Sequence, residues 1–201
     1  MKRYYFLRGF DDSEGSSLIE LVVVMTVVAI LVFALASIGP GFISTDKVRN
    51  TSKELIADLQ WIRYAAMTQG ADAAAPRLTG FGVRFESNSK YRLFRFNDIN
   101  SNFVYDGVSE EAPLPGETVQ KKRTVSQPVE VRIKKGNALA NPDNHILIFD
   151  HLGIPRQANL GFQQKTIVLR NPHTNGASKC VSISFNRIRE GEWDGNDCKE
   201  Q

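Results

Sequence analysis

Residues 15–38 read GSSLIELVVVMTVVAILVFALASI, and the rest of the chain is understood from this stretch. Positions 21–36 are apolar except for Thr26, and Leu18 and Ile19 extend the run. Together they approach the roughly 20 residues a helix needs to cross a bilayer core of about 30 Å. One carboxylate, Glu20, lies just inside the start. A charged side chain costs roughly 2.5–3.5 kcal/mol at the centre of such a helix and less near its end, so an acid kept there marks function. Lys2, Arg3 and Arg8 precede the run, which predicts a cytoplasmic N-terminus and an outward-facing remainder. A secretory signal would place a small-residue cleavage site after a shorter apolar core, whereas here the small polar residues Gly15-Ser16 lie before it.

The run from Gly15 through Leu35 resembles the class III signal of type IV pilins and pseudopilins, G|FTLIELxVVxAIxxIL. The resemblance implies that residues 1–15 are a leader removed by prepilin peptidase between Gly15 and Ser16. It also implies methylation of the new N-terminus, and a pairing of Glu20 with the N-terminal amine of a neighbouring subunit. Ser16 departs from the family, which usually has Phe there, and this bears on methylation more than on cleavage. A second glycine, in Arg8-Gly9-Phe10, would place Glu14 fifth after it, but would put Asp11 and Asp12 into a segment that must be apolar.

The 201 residues suffice for one anchored helix and one domain of ordinary size. Net charge is +3, and residues 1–15 contribute nothing to it, since Lys2, Arg3 and Arg8 offset Asp11, Asp12 and Glu14. So small an excess neither demands nucleic acid nor excludes it. The two cysteines, Cys180 and Cys198, lie near the C-terminus. In an oxidising, outward-facing compartment a disulfide is the natural reading, and two free thiols are the alternative. Closing a loop of this size contributes about 3 kcal/mol by chain entropy. The histidines His145, His151 and His173 show no zinc-ligand spacing with the cysteines.

Gly39-Pro40-Gly41 breaks the helical pattern, so a kink or unwound piece is expected, with helix resuming near Asp46 and running to Gln69, and Gly70 as C-cap. Val48, Leu55, Leu59, Ile62 and Ala66 recur at helical spacing, with Lys47, Arg49, Lys53, Asp58 and Arg63 between them. Trp61 and Tyr64 are expected to pack against a sheet. Beyond Arg77 the texture becomes β. Residues 81–86 and 90–96 read as a hairpin, and 129–134, 145–150, 165–169 and 180–185 as further strands. The expected organisation is a leader (1–15), a transmembrane and filament-core helix (16–38), a kink with an amphipathic helix (39–70) and a β-rich domain (71–201). This is an α+β architecture with a long N-terminal helix packed on an antiparallel sheet. LIFDHLGIPR (147–156), KTIVLRN (165–171) and SKCVSISFNRIR (178–189) resemble the tail of the GspH/FimT group of minor pilins and pseudopilins. In that group FDxxGxxR is followed by two strands and a G-R-x-R phrase, and Asn186 stands here in place of its Gly.

No nucleophile elbow, metalloprotease helix or phosphate loop is present, so a catalytic role is not expected. Two partial constellations remain. Asp98, Asn100, Asn102 and Asp106 place oxygen side chains at the first, third, fifth and ninth positions of a calcium loop, although Phe103 stands where Gly is needed and Ser109 where the bidentate Glu belongs. The same residues equally suit a polar loop of local turns. Arg187 and Arg189 correspond to the two arginines of the G-R-x-R phrase, which contact DNA in the DNA-uptake members of the group. Glu190, Glu192, Asp194 and Asp197 follow and would dilute their field. The resemblance implies a minor pilin of a type IV pilus that helps initiate or cap the filament. Its alternatives are a GspH-like pseudopilin of a type II secretion system and a DNA-binding minor pilin. The implied partners are other pilins or pseudopilins, prepilin peptidase, the inner membrane and, for the last reading, DNA. The implied location is the bacterial inner membrane with a periplasmic domain, then the filament.

Overall fold

The structure, a computed structural model, describes residues 17–36, 40–69, 79–102, 104–159, 161–162, 164–173 and 178–200. The chain divides into two compact units, one holding the first helix and the other everything from Pro40 onward. Gly15, Ser16, Gly39 and Gly70, and the expectations placed on them, lie outside the described residues.

Helix α1 (Leu18–Ala36) begins at Ser17, whose hydroxyl accepts the N–H of Ile19 at 3.2 Å as an N-cap. Its 19 residues extend about 28 Å. Every described side chain from 17 to 33 is exposed, from Leu18 at 82% to Phe33 at 78%. Among the described residues no helix is long and apolar enough to cross a membrane. The expected span also counted positions 16, 37 and 38, which are not among them.

Helix α2 (Pro40–Gln69) starts six residues before the expected Asp46. Proline breaks a helix in its interior, but at the first helical position its missing N–H would have had no partner and its fixed φ already suits the helix. Val48, Leu55, Leu59, Ile62 and Ala66 are all buried, so the periodic stripe is the face laid on the β-domain. Asp58, expected on the polar side, is buried as well. Its Oδ2 accepts the Tyr91 hydroxyl at 2.9 Å, and its carboxylate takes a two-pronged bond from Arg123 at 3.0 and 3.1 Å. Burial, then Asp58 itself, pushes the Tyr91 phenol far above its ordinary pKa, so this hydroxyl is a fixed donor.

Among the described residues the β-domain has two sheets rather than one, and every strand pair is antiparallel. The first contains β1 (Thr79–Ser87), β2 (Lys90–Asn97), β3 (Glu111–Ala112), β4 (Lys121–Thr124), β7 (His145–Asp150) and β8 (Pro155–Arg156), in the order β3-β2-β1-β7-β8 with β4 also on β2. The second contains β5 (Glu130–Lys135), β6 (Ala138–Ala140), β9 (Lys165–Arg170), β10 (Lys179–Ile183), β11 (Ile188–Trp193) and β12 (Cys198–Glu200), in the order β12-β11-β10-β9-β5-β6. Phe81, Val83, Phe85, Leu93, Leu147 and Phe149 of the first sheet meet Val131, Ile167, Leu169, Val181 and Ile183 of the second, together with the α2 stripe, in one core. Phe94, Phe96 and Ile148, on the other face of the first sheet, form a smaller core closed by Tyr105. Trp61 sets its ring edge-on against Phe81 at 6.5 Å while staying partly exposed, and Tyr64 is exposed, contrary to its expected packing.

The FDxxGxxR residues build a turn. Asp150 Oδ1 accepts the N–H groups of Leu152 and Ile154, both at 2.9 Å, and Oδ2 holds Arg156 through Nε at 2.9 Å and Nη2 at 2.8 Å. Gly153 has φ +71°, a left-handed conformation that costs other residues roughly 1–2 kcal/mol. A Cβ there would also lie 2.9 Å from Met67 Sδ on α2. The motif therefore seats this turn on the helix.

Replacing Asp58 by Ala should lower stability by about 1–3 kcal/mol, because Tyr91 and Arg123 lose their shared acceptor. The change should appear in urea denaturation of the full chain in detergent as a lower midpoint at unchanged slope. Gly153→Ala should cost about 1–2 kcal/mol from the backbone alone. Met67→Ala should recover the contact part of the loss but not the backbone part, which a double-mutant cycle separates.

Candidate functional site

Glu20 occupies the third helical position after the cap Ser17, so Ser17-Leu-Ile-Glu20 has the form of a capping box. A glutamate at this position also meets the positive end of the helix dipole. Its carboxylate has no partner among the described residues, so the acid that the sequence singled out stands on the first turn of an exposed apolar helix.

The second sheet ends in a cross-linked corner. Cys180 on β10 is bonded to Cys198 on β12, the pairing expected from the sequence. Strand β11 runs between them, and Gly191 is the residue that permits it. A Cβ there would lie 2.5 Å from the Lys199 carbonyl and 2.9 Å from Cys198 Sγ. Trp193 at the end of β11 carries the Lys134 ammonium 5.7 Å from its ring centroid.

Arg187 and Arg189 do not follow the last strand. Ser184–Arg187 form the turn between β10 and β11, closed by the Ser184 N–H on the Arg187 carbonyl at 2.9 Å, and Arg189 is the second residue of β11, opposite Ser182. The sequence hides β11 because Arg-Glu-Gly-Glu has low strand propensity, and pairing with β10 and β12 overrides it. The turn also recruits a residue that nothing in the sequence marks out. Arg63 of α2 donates from Nη1 to the Asn186 carbonyl at 2.8 Å. Gln60, Arg63, Asn186, Arg187, Ile188 and Arg189 surround an open depression of about 430 Å³. Arg187 and Arg189 are exposed. Three of the four acids expected to dilute this charge are engaged elsewhere. Glu192 holds Lys179 at 3.2 Å, Asp194 holds Lys199 at 3.2 Å, and Asp197 holds Lys134. The Asp194 carboxyl is held down to about 2 by the N–H groups of Asp197 and Asn196, then by Lys199.

The candidate calcium residues do come together, as a turn network. Asp98 Oδ1 and Asn100 Oδ1 accept the Asn102 N–H at 3.2 and 3.1 Å, and Asn102 Oδ1 accepts the Val104 N–H at 2.8 Å. The side-chain amides of Asn100 and Asn102 both donate to Asp106 Oδ2 at 2.7 Å. Phe103 lies outside the described residues, and Ser101 has φ +57°. Among the described residues no group of three or more His, Cys, Asp or Glu side chains could hold a metal ion. The network also positions Tyr105, whose ring covers Phe94 and Phe96 and whose hydroxyl donates to Glu111. Glu111, fully enclosed, also meets Arg84 at 3.2 Å and Arg92 at 3.4 Å.

No family model and no curated protein matches the chain. Among solved structures, the chain is similar to the crystal structure of the minor pseudopilin EPSH from the type II secretion system of Vibrio cholerae, with 12% identity and a TM-score of 0.49 over 75% of this chain and 99% of that one. A second structure of the minor pseudopilin EpsH from the same system is similar at 10% identity and a TM-score of 0.49, over 72% of this chain and 94% of that one.

Proposed function

We propose that this chain is a minor pilin-like subunit, cut after Gly15 by prepilin peptidase, anchored by residues 16–38, and then packed into a type IV pilus through its N-terminal helix. One observation carries the reading: α1 presents apolar side chains that are exposed from Leu18 to Phe33, with a single carboxylate, Glu20, in its first turn. A surface of this kind requires lipid or other helices around it. In lipid, or in the core of a helical assembly, an unpaired carboxylate is costly, and a neighbouring subunit's α-amine at Ser16 would neutralise it at the same depth. Such a pair fixes the axial register of one subunit on the next. Losing one partner of a buried pair costs more than the intact pair contributes, which makes the contact selective. The domain from Pro40 onward rests on its own core and would face outward.

Glu20→Ala should leave cleavage intact and lower incorporation into filaments at least about tenfold, equivalent to ~1.4 kcal/mol. Glu20→Gln separates the two roles of this residue. Glutamine serves a capping box as well as glutamate does but carries no charge. Failure of both variants supports the ion pair, and normal incorporation of the glutamine variant refutes it. Deleting the gene, with electron microscopy of surface filaments and an assay of secreted protein, distinguishes the pilus from the secretion apparatus. Lost filaments with normal secretion supports the pilus. Normal filaments with failed secretion assigns the subunit to a type II pseudopilus.

A second reading, DNA binding, is favoured by the depression that gathers Arg63, Arg187 and Arg189. Contacts to phosphate would be independent of sequence and weakened by salt. For the full chain in detergent, the affinity for duplex DNA should fall with salt, and Arg187→Ala with Arg189→Ala should reduce the log–log slope by roughly 2. A slope unchanged by the double substitution removes this reading.

A further inference from the structure

At one end of the domain, where β7 of the first sheet approaches β5 and β9 of the second, lies a cavity of about 390 Å³ that the proposed function does not use. Lys135 closes β5, Lys165 opens β9 and His145 opens β7, and all three line it. Neither lysine is ion-paired with an acid among the described residues. His145 Nε2 is buried without a hydrogen-bond partner. Burial, then Lys165 and Lys135, holds the imidazole down to about 4, and burial followed by Lys135 depresses Lys165. Two cations and an unsatisfied ring nitrogen thus share a recess, opposed by the single carboxylate of Asp143 in the adjoining turn. Cationic groups crowded in this way lack one thing, a multiply charged anion that would satisfy them together.

We propose that the cavity binds a small phosphate monoester, whose doubly charged phosphate group is held by Lys135 and Lys165 with His145 as a third contact. A bare tetrahedral anion would leave much of the space unfilled. The apolar share of the wall, from Ile133 and Ile146, suits the organic body of an ester. His145 then acts as a proton-linked contact. A bound dianion offsets the field of Lys135 on β5 and Lys165 on β9, so the imidazole becomes easier to protonate, and Asp143 acts in the same direction. The neighbouring strand β1 sets uncharged Phe85 opposite His145, and the segment after β8 contributes Gln157 and Ala158.

The test is a titration of the full chain in detergent with sulfate at constant ionic strength, followed by NMR of its three histidine rings and assigned with His145→Gln. The expected result is a saturable shift of the His145 ring. Lys135→Gln or Lys165→Gln should weaken binding roughly tenfold each, and Asp143→Asn should strengthen it. Sulfate stays dianionic across the range, so its affinity should rise as pH falls from about 8 to about 5, and this rise should vanish in His145→Gln. Unchanged thermal melting of the lysine variants shows that they fold. Phenyl phosphate binding tighter than sulfate assigns an ester as the ligand, and equal affinity assigns the free anion. A linear, unsaturable shift, or a saturable one that the double lysine variant reproduces, overturns the proposal.

Discussion

Every other feature of the β-domain depends on burying one stripe of α2. The helix is 30 residues long, yet a single row from Val48 to Ala66 must seal a core to which both sheets contribute. The stripe can do so because small residues accompany its large ones. Thr51, Ser52, Ala65 and Ala66 are buried beside Leu55, Leu59 and Ile62, letting the helix lie close to the strands. Asp58 then sets its rotation and depth, since a carboxylate that accepts from Tyr91 on β2 and Arg123 on β4 tolerates little sliding. Once the helix is fixed, so are the elements it carries. Met67 bears on the Gly153 turn, and Arg63 reaches the Asn186 carbonyl, so the arginine depression is an outcome of helix placement as much as of the hairpin.

The polar segment after β2 obeys a related constraint. The first sheet has two apolar faces, and α2 with the second sheet covers only one. Tyr105 covers the other, and a tyrosine can do this only if the chain on either side is held down. Asp98, Asn100, Asn102 and Asp106 hold it from one side, through bonds to backbone N–H groups and to each other. Glu111, enclosed with Arg84 and Arg92, holds it from the other. An Asx-rich run at alternate positions therefore has a structural purpose of its own here.

The parts of this fold that could be read from the sequence are those governed by hydrophobic period. The α2 stripe and the strands at 81–86, 90–96, 145–150 and 165–169 follow from residues whose burial is their own doing. The pairing of Cys180 with Cys198 was legible because only two cysteines exist. What escaped depends on partners distant in sequence. Strand β11 is Glu- and Gly-rich and is recruited by its neighbours, and Lys121–Thr124 carries three consecutive basic residues yet completes a ladder with β2. The start of α2 at Pro40 turns on whether proline stands inside a helix or at its first position, which composition does not distinguish. At the arginine site the sequence supplied Arg187 and Arg189, but Arg63 is more than a hundred positions away and resembles any other polar-face residue of a helix. The lysine and histidine cavity was invisible for the same reason, since its two lysines and one histidine come from three strands in two sheets.

Glu20 gains its meaning from the first turn of α1. Valine-rich helices have modest intrinsic propensity, because branching at Cβ restricts the side chain against the preceding turn. A cap is correspondingly valuable, and the Ser17 hydroxyl supplies one by accepting the Ile19 N–H, with the Glu20 carboxylate beside it at the positive end of the helix dipole. The local role and the proposed intersubunit role need not compete. Both call on the carboxylate at the N-terminal end of the helix, where the backbone N–H groups are unpaired and the dipole is positive. If the chain is cut after Gly15, the new amine lies one residue before the cap. The groups that stabilise the helix start within one chain would then lie at the same level as the amine of the next. The α-amine and the carboxylate would meet at only one axial offset of two subunits, so under the proposed function the geometry that starts the helix would also set the register of the filament.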